Sequence, residues 1–152
     1  MTVVLDASAF FRDLPPSGEA RVTAPSVVGE IRDIGSRLRL ERMLAEGLQV
    51  RDPSPAALAA VADAAVRSGD AGVLSPPDRD ILALALETGG VLCTDDFAVQ
   101  NVARTLGVAV RPIQQRAARH LRWRFRCTGC GRYFREEGVC PICGSVLKRK
   151  VK

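Results

Sequence analysis

The chain has 152 residues, 47% hydrophobic and 26% charged, enough for one core of roughly 100 to 120 residues with a small appendage, which excludes disordered and fibrous classes. It contains no apolar run long enough to span a bilayer, and Met1-Thr2-Val3-Val4-Leu5-Asp6 meets a charge too early for a signal peptide, so a cytoplasmic protein without a membrane partner is expected. Net charge is +5, but residues 1–110 hold 10 Lys+Arg against 15 Asp+Glu while residues 111–152 hold 12 against 2, an acidic body with a basic arm suited to a polyanion.

In chain order, Thr2 to Leu5 is a short apolar run ending at Asp6 and reads as a buried strand. Ser26 precedes a helical stripe of Val27, Ile31, Ile34 and Leu38. Leu48 to Arg51 suggests a strand, and Pro55 to Arg67 an alanine-rich helix closed by Gly69. Ser75-Pro76-Pro77-Asp78 opens a helix that stops at Gly89-Gly90, with serine as N-cap and proline in the first turn. Gly90 to Thr94 is a second buried strand, ending at Asp95-Asp96. A helix from about Phe97 to Leu106, closed by Gly107, and a strand Val108 to Val110 complete the series. Strands alternating with helices predict a three-layer α/β domain with a mostly parallel sheet, whose ligands gather at the carboxyl ends of strands. The expected domain covers residues 1–115, a linker follows over 116–122, and composition then shifts to Arg, Cys and Gly over 123–152.

Five acids are candidates for chemistry: Asp6, Glu30, Asp78, Asp95 and Asp96. Each also has an ordinary use, because aspartate after a strand caps the following helix and Ser75 with Asp78 resembles a capping box. Helical geometry places Asp78 inside the arc of Ile81 and Leu82 and puts Asp80 beside Glu87 on the polar side, so Asp78 is preferred over Asp80. Glu30 falls at the edge of the Val27 stripe. Clustered carboxylates repel by about 4 kcal/mol per pair at 4 Å and an effective dielectric of 20, a conflict that a divalent cation removes. Oxygen-only ligands favour Mg²⁺ or Mn²⁺, the ions suited to phosphodiester hydrolysis.

Cys127-x2-Cys130 and Cys140-x2-Cys143, nine residues apart, form a strong zinc signal, each pair on a turn with Gly or Pro. A segment this small cannot fold on its own apolar surface, so one closed, structural Zn²⁺ is expected. Cys93, inside a strand, is expected to be an inert core thiol. His120-Leu121-Arg122-Trp123-Arg124-Phe125-Arg126 interleaves arginine with aromatics, a pattern that stacks bases while neutralising phosphates. The same pattern is also met if Trp123 and Phe125 form the ribbon's core and the arginines are simply solvated. Lys148-Arg149-Lys150 adds a basic tail for backbone contact. Arg122, Trp123, Arg124, Arg126, Lys148, Arg149 and Lys150 are the candidate RNA contacts.

The stretches VVLDASAF (3–10), APSVVGEI (24–31), LSPPDRDILALALETGGVL (74–92) and CTDDFAVQNVARTLGV (93–108) resemble the successive motifs of PIN-domain nucleases. DDFAVQNVA followed by a four-cysteine ribbon resembles the NOB (Nin-one-binding) ribosome-maturation endonucleases in their short archaeal form. The resemblance implies a PIN fold and divalent-metal RNA cleavage at the mature 3′ end of the small-subunit ribosomal RNA precursor, within the pre-ribosomal particle. It assigns the acidic positions to Asp6, Glu30, Asp78 and one member of Thr94-Asp95-Asp96; the T-x-D spacing favours Asp96, with Asp95 as a neighbour. Two other readings stand beside it: a toxin-type PIN ribonuclease, and a non-catalytic RNA-binding assembly factor whose acids only cap helices. Nothing in the sequence specifies an oligomer.

Overall fold

The structure, a computed structural model, describes residues 1–15, 17–113 and 124–150, with the side chains of Arg124, Arg149 and Lys150 outside the description. The expected linker over 116–122, Arg122 and Trp123 lie outside the described residues. The chain divides into two compact units, Met1–Gln114 and Gln115–Lys152.

The first unit is built on five parallel strands: β1 (Thr2–Leu5), β2 (Ala20–Thr23), β3 (Gln49–Val50), β4 (Val91–Cys93) and β5 (Val110–Arg111), in spatial order β3-β2-β1-β4-β5. β1 is central because Val3, Val4 and Leu5 are apolar on both faces, and all three are buried. The chain leaves β1 towards β2 and β3 on one side, then crosses back to β4 and β5 on the other. The order reverses between β1 and β4, and in open parallel sheets the carboxyl ends of the strands at such a reversal are where ligands bind. Leu5 is in register with Cys93, so the residues that follow, Asp6 and Thr94, emerge together.

Helices α1 (Pro25–Glu30) and α2 (Ile34–Ala45) lie between β2 and β3, α3 (Pro55–Ser68) and α4 (Pro76–Thr88) between β3 and β4, and α5 (Phe97–Leu106) between β4 and β5. α3, α4 and α5 pack on one another, while α2 packs on the 3₁₀ turn Ala7–Phe11, two groups of helices around the parallel sheet, as the α/β expectation requires. α4 lies against β1, β2 and β4, burying Ile81, Leu82, Leu84 and Ala85. Its start is fixed by reciprocal bonds between Ser75 and Asp78, and its end by Gly89 at φ 65°.

Two expectations are corrected. The stripe Val27, Ile31, Ile34, Leu38 is not one helical face: Val27 and Ile31 are buried, but Ile34 is 79% and Leu38 61% exposed. The helix ends at Glu30, and Asp33 caps a new one by accepting from the Ser36 N–H at 2.9 Å. α2 instead buries Ser36, Leu40 and Met43. Ala24 is the N-cap of α1, and the Ser26 hydroxyl donates to Asp80 at 2.5 Å. Asp80 is therefore half-buried against α1 and not on the polar side beside Glu87.

The second unit contains an antiparallel sheet of β6 (Arg124–Cys127), β7 (Tyr133–Phe134) and β8 (Leu147–Lys150), in order β7-β6-β8. Its core is Cys127, Cys140 and Leu147, with Phe125 and Phe134 packed against them.

Candidate active site and zinc ribbon

Asp6 stands at the carboxyl end of the central strand, where its backbone N–H still bonds to the Cys93 carbonyl at 3.2 Å. Its two carboxylate oxygens have different partners. One accepts from the Ala7 N–H at 2.6 Å and opens the 3₁₀ turn; the other accepts from the Thr94 hydroxyl at 2.7 Å. Thr94 is fully buried at the end of β4, and its oxygen also accepts from the Asp96 N–H at 3.1 Å. Asp6, Thr94 and Asp96 thus form one hydrogen-bonded chain across two neighbouring strand ends. The sequence offers Thr94 as a hydrogen-bonding member of this group, but not its partner: the bond to Asp6 depends on register between residues 88 positions apart.

Burial pushes the Asp6 carboxyl above its ordinary value, against the stabilising bonds from Thr94 and Ala7, and the charges of Asp78 and Asp96 push it further in the same direction. The structure therefore brings Asp6, Asp78 and Asp96 into one electrostatic neighbourhood. Asp78 arrives from the first turn of α4, its Oδ2 accepting from the Ser75 N–H at 3.0 Å. Asp96 caps α5, accepting from the Ala98 and Val99 N–H groups at 2.8 and 3.3 Å. The capping and clustering uses coexist: each cap bond fixes one carboxylate oxygen and so orients the other.

Asp95 turns differently, with Oδ1 accepting from the Ile113 N–H at 2.9 Å beyond β5. Glu30 is the exposed last residue of α1, on the segment that leaves the carboxyl end of β2. Asp80, through Ser26, ties that helix to α4.

A divalent cation suits this donor set. The ligands are hard oxygens, and the central one is desolvated beside two like charges, an arrangement that added positive charge relieves. Ser8, in the same turn as Asp6, has a buried hydroxyl that is without a hydrogen-bond partner among the described residues. An orphaned hydroxyl two residues from the central carboxylate is consistent with a site completed by an ion and its waters. Sequence reading passed over Ser8; the signal was its place in Asp6-Ala7-Ser8.

In the second unit, the sulfurs of Cys127, Cys130, Cys140 and Cys143 all lie within 4.8 Å of one another. The Cys127–Cys143 and Cys130–Cys140 separations are 3.2 and 3.8 Å, bracketing with the outer limit the roughly 3.8 Å edge of a tetrahedron with 2.3 Å Zn–S bonds. Backbone N–H groups of Gly129 and Cys130 donate to the Cys127 sulfur, and that of Ile142 to Cys140, each at 3.4 Å. These bonds stabilise thiolates at both turns. Hydrogen bonds from the Ser145 side chain and backbone hold the Cys143 thiol down at about 6, while at Cys130 a backbone bond from Arg132 is outweighed by burial and the neighbouring cysteines, which push that thiol up to about 11. Gly129 is required by space, since a Cβ there would lie 2.4 Å from the Ser145 Oγ and 3.1 Å from the Cys143 sulfur. Cys93 takes no part: it is buried, and desolvation raises its thiol, as an inert core residue should behave.

Arg126 and Lys148 face each other in register across β6 and β8, and both line a recess with Thr128, Gly129 and Gly131. Arg126 also lies over the Tyr133 ring, 5.9 Å from its centroid. Phe125, by contrast, packs into the small core, so this aromatic of the interleaved run serves the ribbon's own fold. The backbones of Arg124, Arg149 and Lys150 belong to the same sheet.

Residues 3–88 match the family described as the PIN domain of ribonuclease. The chain is 41% identical to the endoribonuclease Nob1 of Pyrococcus abyssi, over 97% of this chain and 92% of that one. It is 40% identical to the endoribonuclease Nob1 of Methanothermobacter thermautotrophicus, over 99% and 93%. Ribonuclease VapC1 of Thermoplasma acidophilum is 35% identical, over 98% of this chain and 78% of its own length.

Proposed function

We propose, from the premise that this chain belongs to the Nob1 family of PIN-domain endoribonucleases, that it cleaves the small-subunit ribosomal RNA precursor at its mature 3′ end within the pre-ribosomal particle. The observation that carries the reading is the Asp6 carboxylate, buried at the central strand end, bonded through Thr94 to Asp96 and lying in the field of Asp78. Asp6, Asp78 and Asp96 would hold Mg²⁺ or Mn²⁺, with Glu30 approaching from α1 and Asp95 steadying the loop through Ile113. A divalent ion held there supplies charge neutralisation at the phosphate and activation of water for hydrolysis. The protein's own part is placement. Thr94 keeps one Asp6 oxygen fixed, and the cap bonds of Asp78 and Asp96 leave each carboxylate an oxygen for the ion or its waters.

The ribbon, with a structural Zn²⁺ on its four cysteines, would grip the RNA. Like charges directly opposite each other on neighbouring strands are unfavourable; Arg126 and Lys148 form such a pair, and a phosphate between them removes the repulsion. Arg122, Trp123, Arg124, Arg149 and Lys150 are neighbours of this pair in sequence and would contact the same RNA.

The test is incubation of the full chain with a precursor fragment spanning the mature 3′ end, with Mn²⁺ or Mg²⁺ supplied or withheld, followed by end mapping. Metal-dependent cleavage at the mature end, lost in Asp6→Asn while RNA binding persists, is the expected result. Binding without cleavage under either metal, on bare RNA and on the particle, would favour a non-catalytic assembly factor. The likeness to ribonuclease VapC1 gives a second nuclease reading specific support; cleavage of unrelated RNAs with no preference for the precursor would favour it.

A further inference from the structure

α5 buries Val99, Val102 and Ala103, and its other side carries Phe97, Asn101 and Arg104 at helical spacing. Phe97 is 80% exposed although it directly follows Asp96. With Asp70, Ala98 and Gln100, these three residues line a shallow recess of about 370 Å³. Two of the polar members are already anchored. Gln100 donates to the Thr94 carbonyl at 3.0 Å, and Asn101 to Asp70 at 2.7 Å. Arg104 has no carboxylate partner among the described residues.

An isolated exposed apolar side chain is ordinary on a protein surface. This one is set apart by its setting: it begins the helix capped by Asp96, Gln100 on its rim is bonded to the strand end that carries Thr94 and Asn101 to Asp70, and Arg104 lies two turns along the same face. A rise of about 1.5 Å per residue puts Phe97 and Arg104 roughly 10 Å apart along the axis, the span of one to two nucleotides of extended strand. The charge also discriminates. The unit as a whole is acidic, with 10 Lys+Arg against 15 Asp+Glu in residues 1–110, so a cation with no carboxylate partner among the described residues, on the helix that Asp96 caps, is suited to guiding a polyanion to the acidic cluster.

We propose that this face of α5 is the substrate track beside the scissile phosphate: Phe97 stacks on the base of a flanking nucleotide, and Arg104 contacts a backbone phosphate one or two nucleotides farther from the acidic cluster. The inference rests on the endoribonuclease reading above and adds a positioning surface on the nuclease unit itself, separate from the ribbon. Stacking on a phenyl ring is tolerant of base identity, so the track fixes distance and not sequence. The target must therefore be single-stranded at that nucleotide.

The test uses the full chain, Mn²⁺ and a precursor RNA series in which each nucleotide near the cleavage site is replaced in turn by an abasic one. In the wild type, one abasic position should raise KM roughly tenfold, the size of one lost stack. Phe97→Ala should raise KM similarly on intact RNA, respond no further to that abasic position, and keep its response to the others; Phe97→Trp should restore wild-type behaviour. Arg104→Ala should weaken binding evenly and lower the steepness of its salt dependence. If Phe97→Ala cleaves intact RNA as the wild type does, or keeps the full abasic response at every position, the track is refuted while the nuclease reading stands. If the wild type cleaves none of these RNAs with Mn²⁺ or Mg²⁺, bare or within the particle, the nuclease reading falls and the track falls with it. Both substitutions are at exposed positions, and unchanged melting temperatures verify that the fold is intact.

Discussion

At the scale of single residues, the conflict at Asp6 can be measured through stability. Its folded-state pKa is raised, chiefly by burial and then by Asp78 and Asp96, so the folded protein holds this proton more tightly than the unfolded chain does. Stability from that source is present below the ordinary carboxylate pKa and is lost as pH rises through the folded value. Asparagine has no such proton. With other divalent ions dialysed away, the melting temperature of the wild type relative to Asp6→Asn is expected to fall as pH rises above the ordinary carboxylate range. Adding Mn²⁺ at pH 7 should raise the wild type markedly and the variant little. A pH-independent difference, or equal responses to Mn²⁺, would show that Asp6 is an ordinary cap. The sequence could nominate Asp6 because aspartate ends an apolar run. It could not supply Thr94 as its partner, because that bond exists only once β1 and β4 are in register, nor the orphaned Ser8 hydroxyl, which has no signature beyond its proximity to Asp6.

At the scale of elements, most helix limits were readable because their ends carry local chemistry: Ser75 with Asp78 at the start of α4, and glycines with positive φ at 69, 89 and 107 at the ends of α3, α4 and α5. The errors came where local pattern is ambiguous. Val27, Ile31, Ile34 and Leu38 keep helical spacing across a break that Asp33 imposes by capping, and periodicity alone cannot register a change of axis. β2 was missed because Ala20-Arg21-Val22-Thr23 is too short and too mixed to announce itself. It is a strand because its backbone pairs with β1 and its Thr23 hydroxyl donates to the Leu5 carbonyl at 2.9 Å. The β1–β4 pairing that aligns Asp6 with Thr94 is also sensitive to one residue. A Cβ on Gly90 would lie 2.7 Å from the Thr2 carbonyl oxygen and 3.0 Å from the Thr88 Oγ1, so Gly90→Ala must push the strand ends apart. Destabilisation of about 2 kcal/mol by denaturant melting is expected, the scale of an overpacked core. Gly18→Ala, with nothing within 4 Å of its Cβ, should be nearly neutral. Equal effects of the two would contradict the close approach.

At the scale of the whole molecule, the division of charge coincides with the proposed division of labour: the acidic cluster lies in the first unit, while residues 111–152 hold 12 Lys+Arg against 2 Asp+Glu. Whether the ribbon contributes charge or arrangement can be separated, because losing zinc removes the fold but not the arginines. With three buried residues in its core among the described residues, the sheet β6–β8 is expected to need a metal on its four cysteines in order to fold. Cys130→Ser with Cys143→Ser should therefore abolish hydrogen-exchange protection in residues 124–150 and leave protection in β1 and β4 intact. The formal charge of the arm does not fall. Four thiolates around one Zn²⁺ carry about two negative charges, and the substituted, metal-free arm sheds them, so attraction to phosphates at low salt should persist or strengthen. Because each neutralised phosphate contributes about 0.7 to the slope of log affinity against log salt on single strands, the slope should be kept. What the variant loses is the fixed register of Arg126 opposite Lys148 and the placement of Arg126 over Tyr133. Accuracy of precursor cleavage is thus expected to collapse while bulk RNA binding survives, as read by mapping cleavage ends and by anisotropy titrations at several salt concentrations. A parallel loss of binding and slope would instead mean that the folded ribbon concentrates charge in a way the unfolded arm cannot.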